Sequence, residues 1–340
     1  MRICHWVTFP KDDRVSGLTR SVKEILEAEL ELGIDAGVCG HKNPEGGEEI
    51  RLWRRSVKSK PWSWALEADA NVISATPSLE MFKKLRGTIL FLHAIPFHSF
   101  LKEMTERKPS MSAIYAMLRM CDTAICWSNF EAEYYRLLSE KPVHVVTRGI
   151  DLDHWSPGEG MKFIWHPTVV NMEVGRVMKL PFTLLFAANL AQRRIPNLKL
   201  EMFALRPDQQ GMWDILVAKL NLEIIVENMV YAMWTDPREV YRGADILVSP
   251  TWWGLTSRVA VEAMACGCPT LIIEGQDDKP ASAKCFDSPQ SMSEAIVNLW
   301  ERMKEDPEGE RRRARRIAEE SYDVKETAKE IVEIAKKLAS

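Results

Sequence analysis

One segment of the sequence combines a predicted helix start with residues that bind anions and hydroxyl groups. It runs from Ser249 to Pro269 in the order strand, loop, helix, glycine and proline. Thr256 or Ser257 is placed to cap the helix, so unpaired backbone N–H groups and the positive end of the helix dipole would face a ligand. This arrangement predicts an anion site for a phosphate or diphosphate. Arg258 would add charge-assisted hydrogen bonds.

Glu262 lies one helical turn beyond this predicted anion site. A carboxylate at that position would accept hydrogen bonds from two hydroxyl groups of a ribose. The alternative is a solvated glutamate with Arg258 as its i, i+4 partner, a pair worth about 0.3 kcal/mol. Spacing alone leaves both interpretations open.

The cysteines do not indicate a metal site. Cys266-Gly267-Cys268 is the only close pair among seven cysteines, and a structural zinc site would need a second pair. We interpret these three residues as small-residue packing after the helix. The odd number of scattered cysteines argues against a disulfide framework and indicates reduced thiols.

Alternating strands and helices must position these residues. The first half of the chain predicts elements near 3–8, 17–32, 35–39, 71–75, 78–85, 88–92, 110–120, 123–127, 129–138 and 144–146. A second alternation covers 182–187, 198–205, 222–226, 238–241, 246–249, 259–265, 270–273 and 291–304. Such alternation predicts parallel sheets covered on both faces, with ligands bound beyond the carboxyl ends of the strands.

Length and composition agree with two domains. The 340 residues are 46% hydrophobic and 27% charged, the balance of a soluble globular protein. Glycines and prolines punctuate the chain between Gly149 and Leu180, so we predict one domain over 1–155 and another over 156–323. A helix over 324–340 keeps an apolar stripe, and we expect it to pack back on the first domain.

The segment Glu262 to Pro269 resembles the donor-binding segment of the GT-B glycosyltransferases of glycosyltransferase family 4, in which a helix ends in Leu-Glu-Ala-Met-Ala-Cys-Gly-x-Pro. Arg148-Gly149-Ile150-Asp151 is similar to that family's Asn-Gly-Val-Asp stretch. The run from Leu184 to Arg194 resembles its Val-Gly-Arg-Leu strand and the Arg-Lys-Gly loop that follows.

The resemblance implies two Rossmann-like domains, each a doubly wound parallel sheet, that face a central cleft. It implies a nucleotide-sugar donor held mostly by the second domain and an acceptor held mostly by the first. It also implies transfer with retention of anomeric configuration, without a metal and without a cofactor other than the donor. The protein would then have to stabilise a leaving nucleoside diphosphate.

The resemblance also implies individual site residues. The catalytic set is His93, Arg194 and Glu262, with Arg194 as the clamp on the diphosphate. The donor-binding set is Gly17, Asn189, Arg193, Leu255, Thr256, Ser257, Arg258 and Glu262. His93 and His98 lie on the acceptor side, where an imidazole would bond the sugar or take a proton. Without the resemblance, Arg193 and Arg194 are a solvated pair that opens the next helix.

The sequence departs from the family pattern in ways that favour an alternative. Gly254 stands where the first of two paired family glutamates is expected, and Asn189 replaces a diphosphate-binding arginine. A catalytically inactive or divergent GT-B protein that binds nucleotide sugars is therefore the second hypothesis. A nucleotide-sugar isomerase would need acidic and basic groups around the sugar ring that the sequence does not offer.

Partners and location follow from charge and hydropathy. The formal charge of −3 makes nucleic acid an unfavoured partner, while the acceptor stays open among glycans, lipids and small molecules. Residues 51–64 interleave arginines, lysines and tryptophans, which suits an anionic membrane surface, a nucleic acid, a carbohydrate stacking platform or a solvated loop. The N-terminal apolar run is too brief for a signal peptide, and no stretch approaches about 18 apolar residues. We expect a cytoplasmic protein, with membrane association on the cytoplasmic face left open.

Overall fold

A computed structural model of the protein describes residues 1–7, 17–40, 43–74, 79–92, 111–158, 168–171, 181–203, 218–219, 225–229, 236–251, 257–275 and 280–340. The chain folds into two compact units. The first unit comprises Met1–Asp151 together with Asp323–Ser340, and the second comprises Leu152–Tyr322. Within the described ranges, no helix is long and apolar enough to cross a membrane.

The first unit is built on a six-stranded parallel sheet in the order β2-β1-β5-β6-β7-β8. Its strands are β1 (Arg2–Val7), β2 (Asp35–Gly40), β5 (Ala70–Ile73), β6 (Thr88–Phe91), β7 (Thr123–Cys126) and β8 (Val143–Val145). A separate antiparallel hairpin joins β3 (Glu49–Arg51) and β4 (Ser56–Lys58). The central strands are buried along their whole length, which is why they read as short apolar runs rather than as alternating patterns.

Helices cover both faces of this first sheet. They are α1 (Gly17–Glu31), α2 (Trp62–Leu66), α3 (Leu79–Phe82), α4 (Met111–Met120), α5 (Asn129–Leu138) and the C-terminal α11 (Val324–Ala339). Asp323 caps α11 by accepting a hydrogen bond from the backbone N–H of Lys325. The stripe of Ala328, Ile331 and Ala335 is buried in the core of the first unit.

The second unit carries another six-stranded parallel sheet, in the order β11-β10-β9-β12-β13-β14. Its strands are β9 (Thr168–Asn171), β10 (Lys199–Phe203), β11 (Ile225–Met229), β12 (Ile246–Ser249), β13 (Thr270–Ile273) and β14 (Ala283–Cys285). The helices are α6 (Pro181–Gln192), α7 (Pro237–Gly243), α8 (Arg258–Ala265), α9 (Pro289–Glu305) and α10 (Pro307–Ser321). In chain order, the strands give the Rossmann arrangement 3-2-1-4-5-6, whose direction reverses between β9 and β12.

The unit boundary falls at Asp151, whereas the sequence pattern predicts it at residue 155. Trp155 accounts for the difference, because its ring lies 6.0 Å from the ring of Tyr241 within the second unit. Ile150 and Asp323 form a parallel β-bridge within the first unit. The end of the first segment of this unit therefore lies beside the start of its second segment.

The element predicted over 182–187 opens the second alternation, where a strand is expected, and this expectation is wrong because Pro181–Gln192 forms helix α6. Proline suits the first helical turn, where its missing N–H has no intrahelical partner in any case. Leu184, Leu185 and Ala188 are fully buried in the core of the second unit. The first strand of this unit is therefore β9, which lies in the stretch that the glycines and prolines predict to be an interdomain connection.

Candidate functional site

The candidate site lies at the carboxyl end of β12, beside β9, where the strand order of the second sheet reverses. Open α/β sheets bind ligands outside the carboxyl ends of the strands at such a switch point. β12 pairs with β9 on one side and with β13 on the other. The chain then runs from Ser249 at the end of β12 to the start of α8 at Arg258.

Ser257 fixes the start of α8. Its hydroxyl oxygen accepts a hydrogen bond from the backbone N–H of Ala260 at 3.2 Å. The same oxygen lies 2.8 Å from the hydroxyl oxygen of Ser249, and both side chains are buried. The last residue of the strand and the cap of the helix are therefore tied together, and the positive end of α8 lies at the carboxyl edge of the sheet.

Glu262 is buried rather than solvated, with 1% of its surface exposed. Its Oε1 accepts a hydrogen bond from Nε of Arg258 at 2.6 Å, and its Oε2 accepts one from the hydroxyl of Tyr241 at 3.0 Å. The ion pair with Arg258 is the one that helical spacing predicts. Its burial makes it different from the surface pair that was the alternative, since two donors now orient a carboxylate in the protein interior.

Tyr241 is a site residue that the sequence patterns do not assign to the site. It lies on α7, which Asp236 caps by accepting from the backbone N–H of Arg238. The sequence signal for this role is the position of the tyrosine, just before the strand that leads to the predicted anion site. Its contact with Glu262 spans 21 residues and depends on how α7 packs beside α8.

The cysteine pair after α8 packs in the interior. Cys266 ends the helix, and Gly267 has a φ of +79°, the left-handed conformation that glycine adopts most easily at this position. Burial raises the pKa of Cys266 and that of Cys268 to about 12 each, so both thiols stay protonated at neutral pH. Among the residues that the structure describes, no group of three or more histidines, cysteines or acids could hold a metal ion.

Arg193 and Arg194 lie at the other edge of the second sheet. Helix α6 carries the chain from the carboxyl end of β9 to the amino end of β10, and the register pairs Lys199 with Thr168 at the start of both strands. Both arginines follow the last turn of α6 and are exposed. This position corrects the expected diphosphate clamp, because Arg194 follows a helix and not a strand. Asn189 lies within the last turns of the same helix.

A Val-Gly-Arg string occurs in the sequence between β9 and α6. Val174-Gly175-Arg176 is separated from the end of β9 at Asn171 by two residues, and Lys179 lies two residues before the start of α6. This Val-Gly-Arg string is the sequence signal that favours the segment between β9 and α6 as the cation-bearing loop. These residues lie outside the described part of the chain.

Several expected site residues belong to segments that the structure does not describe. They are His93, His98, Leu255 and Thr256. Gly17 is described and begins α1, the helix that follows β1 at the carboxyl edge of the first sheet. In the sequence, His93 comes two residues after the end of β6 in the same sheet.

The basic and aromatic stretch over 51–64 is largely structural. Trp62 and Trp64 pack against the core of the first unit, and the indole N–H of Trp62 donates to the backbone oxygen of Gly40 at 2.9 Å. Arg54 pairs with Glu31 and with Asp151. Arg51, Arg55 and Lys58 are exposed, and Nε of Arg55 lies 3.8 Å from Oε1 of Glu27.

Residues 175–302 match the model of the family described as Glycosyl transferases group 1. No curated protein matches the sequence. Among solved structures, sucrose-phosphate synthase from Thermosynechococcus elongatus is 16% identical with a TM-score of 0.69, over 99% of this chain and 98% of that chain. The chain has the GT-B fold.

Two further GT-B structures show the same likeness over the whole chain. Anabaena HepE in complex with UDP-glucose is 15% identical with a TM-score of 0.67, over 99% of this chain and 100% of HepE. An α-glucosyltransferase in complex with UDP and a 13-mer DNA is 12% identical with a TM-score of 0.71, over 99% of each chain. The candidate site around α8 lies within the segment that matches the family model.

Proposed function

We propose that this protein is a glycosyltransferase that moves a sugar from a nucleoside diphosphate sugar to an acceptor. The observation that carries the proposal is the start of α8. A serine-capped helix with a buried, doubly bonded carboxylate one turn further on stands at the switch point of a sheet, inside the segment that matches Glycosyl transferases group 1.

The proposed donor site divides into an anion half and a ribose half. The backbone N–H groups at Thr256 and Ser257 and the guanidinium of Arg258 would hold the diphosphate. Glu262 would accept hydrogen bonds from the ribose hydroxyl groups, since a carboxylate oxygen accepts more than one hydrogen bond. Leu255 in the preceding loop would line this half of the site.

A cation is still needed for the charge that develops on the leaving diphosphate. Arg194 does not fit this task, because it follows α6 at the amino edge of the sheet. Arg176 and Lys179 replace it in the proposal, because they occur in the sequence between the carboxyl end of β9 and the first turn of α6.

We further propose a retaining transfer that needs no metal. The bond between the anomeric carbon and the diphosphate oxygen breaks while the acceptor oxygen bonds to the same face of the sugar, and the acceptor proton passes to the leaving phosphate oxygen. The resemblance supports this chemistry, the acceptor-side assignments of His93 and His98, and the donor-binding assignment of Gly17. The configuration of the isolated product, determined by NMR, tests retention.

The second candidate is a GT-B protein that binds a nucleotide sugar without turning it over. Gly254 favours it, because no carboxylate is available there to hold the hydroxyl groups of the donor sugar. Both candidates predict donor binding, and only transfer predicts release of the diphosphate.

One experiment separates the two candidates. The purified protein is incubated with UDP-, GDP- and ADP-sugars, and its melting temperature and the released nucleoside diphosphate are both followed. Stabilisation with release supports transfer or slow hydrolysis, and stabilisation without release supports the binding protein. No stabilisation by any donor would overturn both proposals.

Exposed basic residues of the first unit bear on where the protein acts. We propose a cytoplasmic protein that contacts an anionic membrane surface through Arg51, Arg55 and Lys58, which are exposed. Sedimentation with phosphatidylserine vesicles, and its loss at high salt, tests this contact.

A further inference from the structure

Tyr241 is buried in the second unit with its hydroxyl directed at the carboxylate of Glu262. The two oxygen atoms lie 3.0 Å apart, and 1% of the tyrosine surface is exposed. A tyrosine packed only for its ring would be replaceable by phenylalanine, but this hydroxyl meets a buried charged acceptor. Hydrogen bonds to charged groups are the stronger class.

Two donors from different helices fix the orientation of this carboxylate. Arg258, on α8 itself, donates to Oε1, and Tyr241, on α7, donates to Oε2. One donor alone would leave the carboxylate free to rotate about its terminal bond, because that torsion is soft. The donor from α7 therefore determines the plane in which Glu262 offers its remaining acceptor directions.

Tyr241 is held in place by neighbours other than Glu262. Its ring lies 6.0 Å from that of Trp155 at an interplanar angle of 51°. The next residue, Arg242, donates from Nε and Nη2 to the backbone oxygen of Ser156 at 2.9 and 2.8 Å. The hydroxyl thus comes from a fixed element, as a positioning group requires.

We propose that Tyr241 is a positioning residue that orients the Glu262 carboxylate toward the ribose hydroxyl groups of the bound nucleotide. This inference rests on the proposed function, since it names what the ribose half of that site depends on. It gives Tyr241 no contact with the donor. Its contribution should therefore appear only when the ligand has the hydroxyl groups that Glu262 binds.

The test compares UDP with 2′,3′-dideoxy-UDP by titration calorimetry on the full-length chain. The wild-type protein should prefer UDP by about tenfold or more, the effect of charged hydrogen bonds to the ribose. Tyr241→Phe should abolish most of that preference by weakening UDP alone. Glu262→Gln should also lose the preference, and the double variant should lose no more than either single variant.

Tyr322→Phe is the matched control. Tyr322 is also buried in the second unit, and its hydroxyl donates to the backbone oxygen of Pro280 at 2.9 Å. This variant should lose a similar amount of thermal stability and keep the wild-type preference for UDP. A role for Tyr241 in stability alone would give both variants the same unchanged preference.

The outcomes separate the inference from the function on which it rests. If the wild type discriminates and Tyr241→Phe keeps the full preference, Tyr241 does not position Glu262, and the donor site stands. If the wild type binds both nucleotides equally, Glu262 does not bind the ribose, and the inference is overturned. If neither nucleotide binds, Glu262 holds no UDP ribose and the inference is overturned, while the proposed function is decided by the GDP- and ADP-sugars of the donor panel.

Discussion

At the level of single residues, the side chain of Ser257 fixes the first turn of α8. Its hydroxyl accepts from the N–H of Ala260 and contacts Ser249 at the end of β12. Ser257→Ala should lower the free energy of unfolding by about 1 kcal/mol, the usual value of a helix cap. It should also weaken nucleoside diphosphate binding about fivefold, because the first turn no longer presents its N–H groups in a fixed direction. Chemical denaturation and calorimetry measure the two effects.

Ser288 supplies the control for this prediction. It caps α9 in the same unit by accepting from the N–H of Ser291 at 3.2 Å. Ser288→Ala should cost similar stability and leave nucleotide affinity unchanged. Equal losses of affinity in both variants would show that α8 has no special part in binding.

Variants of two arginines test which edge of the second sheet binds the diphosphate. Arg176→Ala should weaken binding of a nucleoside diphosphate about tenfold or more, as expected for a cation that neutralises phosphate charge. Arg193→Ala should leave the affinity unchanged, because Arg193 follows the last turn of α6 at the amino edge. Calorimetry measures the affinity of both variants. Weaker binding in Arg193→Ala with unchanged binding in Arg176→Ala would instead support the loop at Arg193 and Arg194 as the diphosphate site.

At the level of elements, Arg315 on α10 holds the far end of the helix that carries the site. Its Nη1 lies 2.8 Å from the backbone oxygen of Ala265, and 3.1 and 2.7 Å from those of Leu152 and Trp155. These contacts satisfy carbonyl groups at the end of α8 and at the start of the second unit.

We predict that Arg315→Gln lowers the free energy of unfolding by at least about 2 kcal/mol, since several part-buried carbonyl groups lose a charged donor. Arg312→Gln on the same helix is the control. Arg312 is exposed and pairs with Glu308, so its loss should cost at most about 0.5 kcal/mol. Urea denaturation measures both values. A negligible cost for Arg315→Gln would show that α8 does not depend on this contact.

The elements also show where sequence patterns suffice. The helix predicted over 129–138 matches α5 in both bounds, because Ser128 caps it with a hydrogen bond from the N–H of Glu131. The apolar run after Pro181 misleads because the exposed face of the helix is apolar too, with Phe182 and Phe186 exposed, so the run lacks helical periodicity. Its 12-residue length and its proline favour the helix that forms.

At the level of the whole molecule, the first unit is discontinuous in sequence. It is completed by Asp323–Ser340, which includes α11. Ile331 on this helix is fully buried with Ile3 and Val72 of the central strands. The stability of the first unit should therefore depend on the last residues of the chain.

Ile331→Ala should cost about 2–5 kcal/mol, the range for removing a buried isoleucine side chain. Hydrogen exchange should then speed up in β1, β5 and α1, with little change in the second unit. Equal acceleration in β12 and β13 would contradict two separately packed units. Lys337→Ala, at an exposed position on the same helix, should change neither unit.

The sequence predicts the two doubly wound sheets because buried parallel strands and their helices leave strong local patterns. It places the helix cap at Thr256 or Ser257, but spacing along one helix leaves Glu262 open between a site carboxylate and a solvated partner of Arg258. It does not place Tyr241 against Glu262, since that contact needs α7 packed beside α8. It also assigns Arg194 to the wrong edge of the sheet, because one misassigned element shifts the loop that follows it to the opposite edge.

The proposed function requires that a nucleoside diphosphate binds at the carboxyl edge of the second sheet, at α8. Calorimetric titration of UDP into the wild type, Glu262→Gln and Arg193→Gln/Arg194→Gln tests this requirement. We predict that Glu262→Gln weakens binding about tenfold or more and that the double arginine variant binds as the wild type does. Unchanged binding in Glu262→Gln, together with lost binding in the arginine variant, would contradict it.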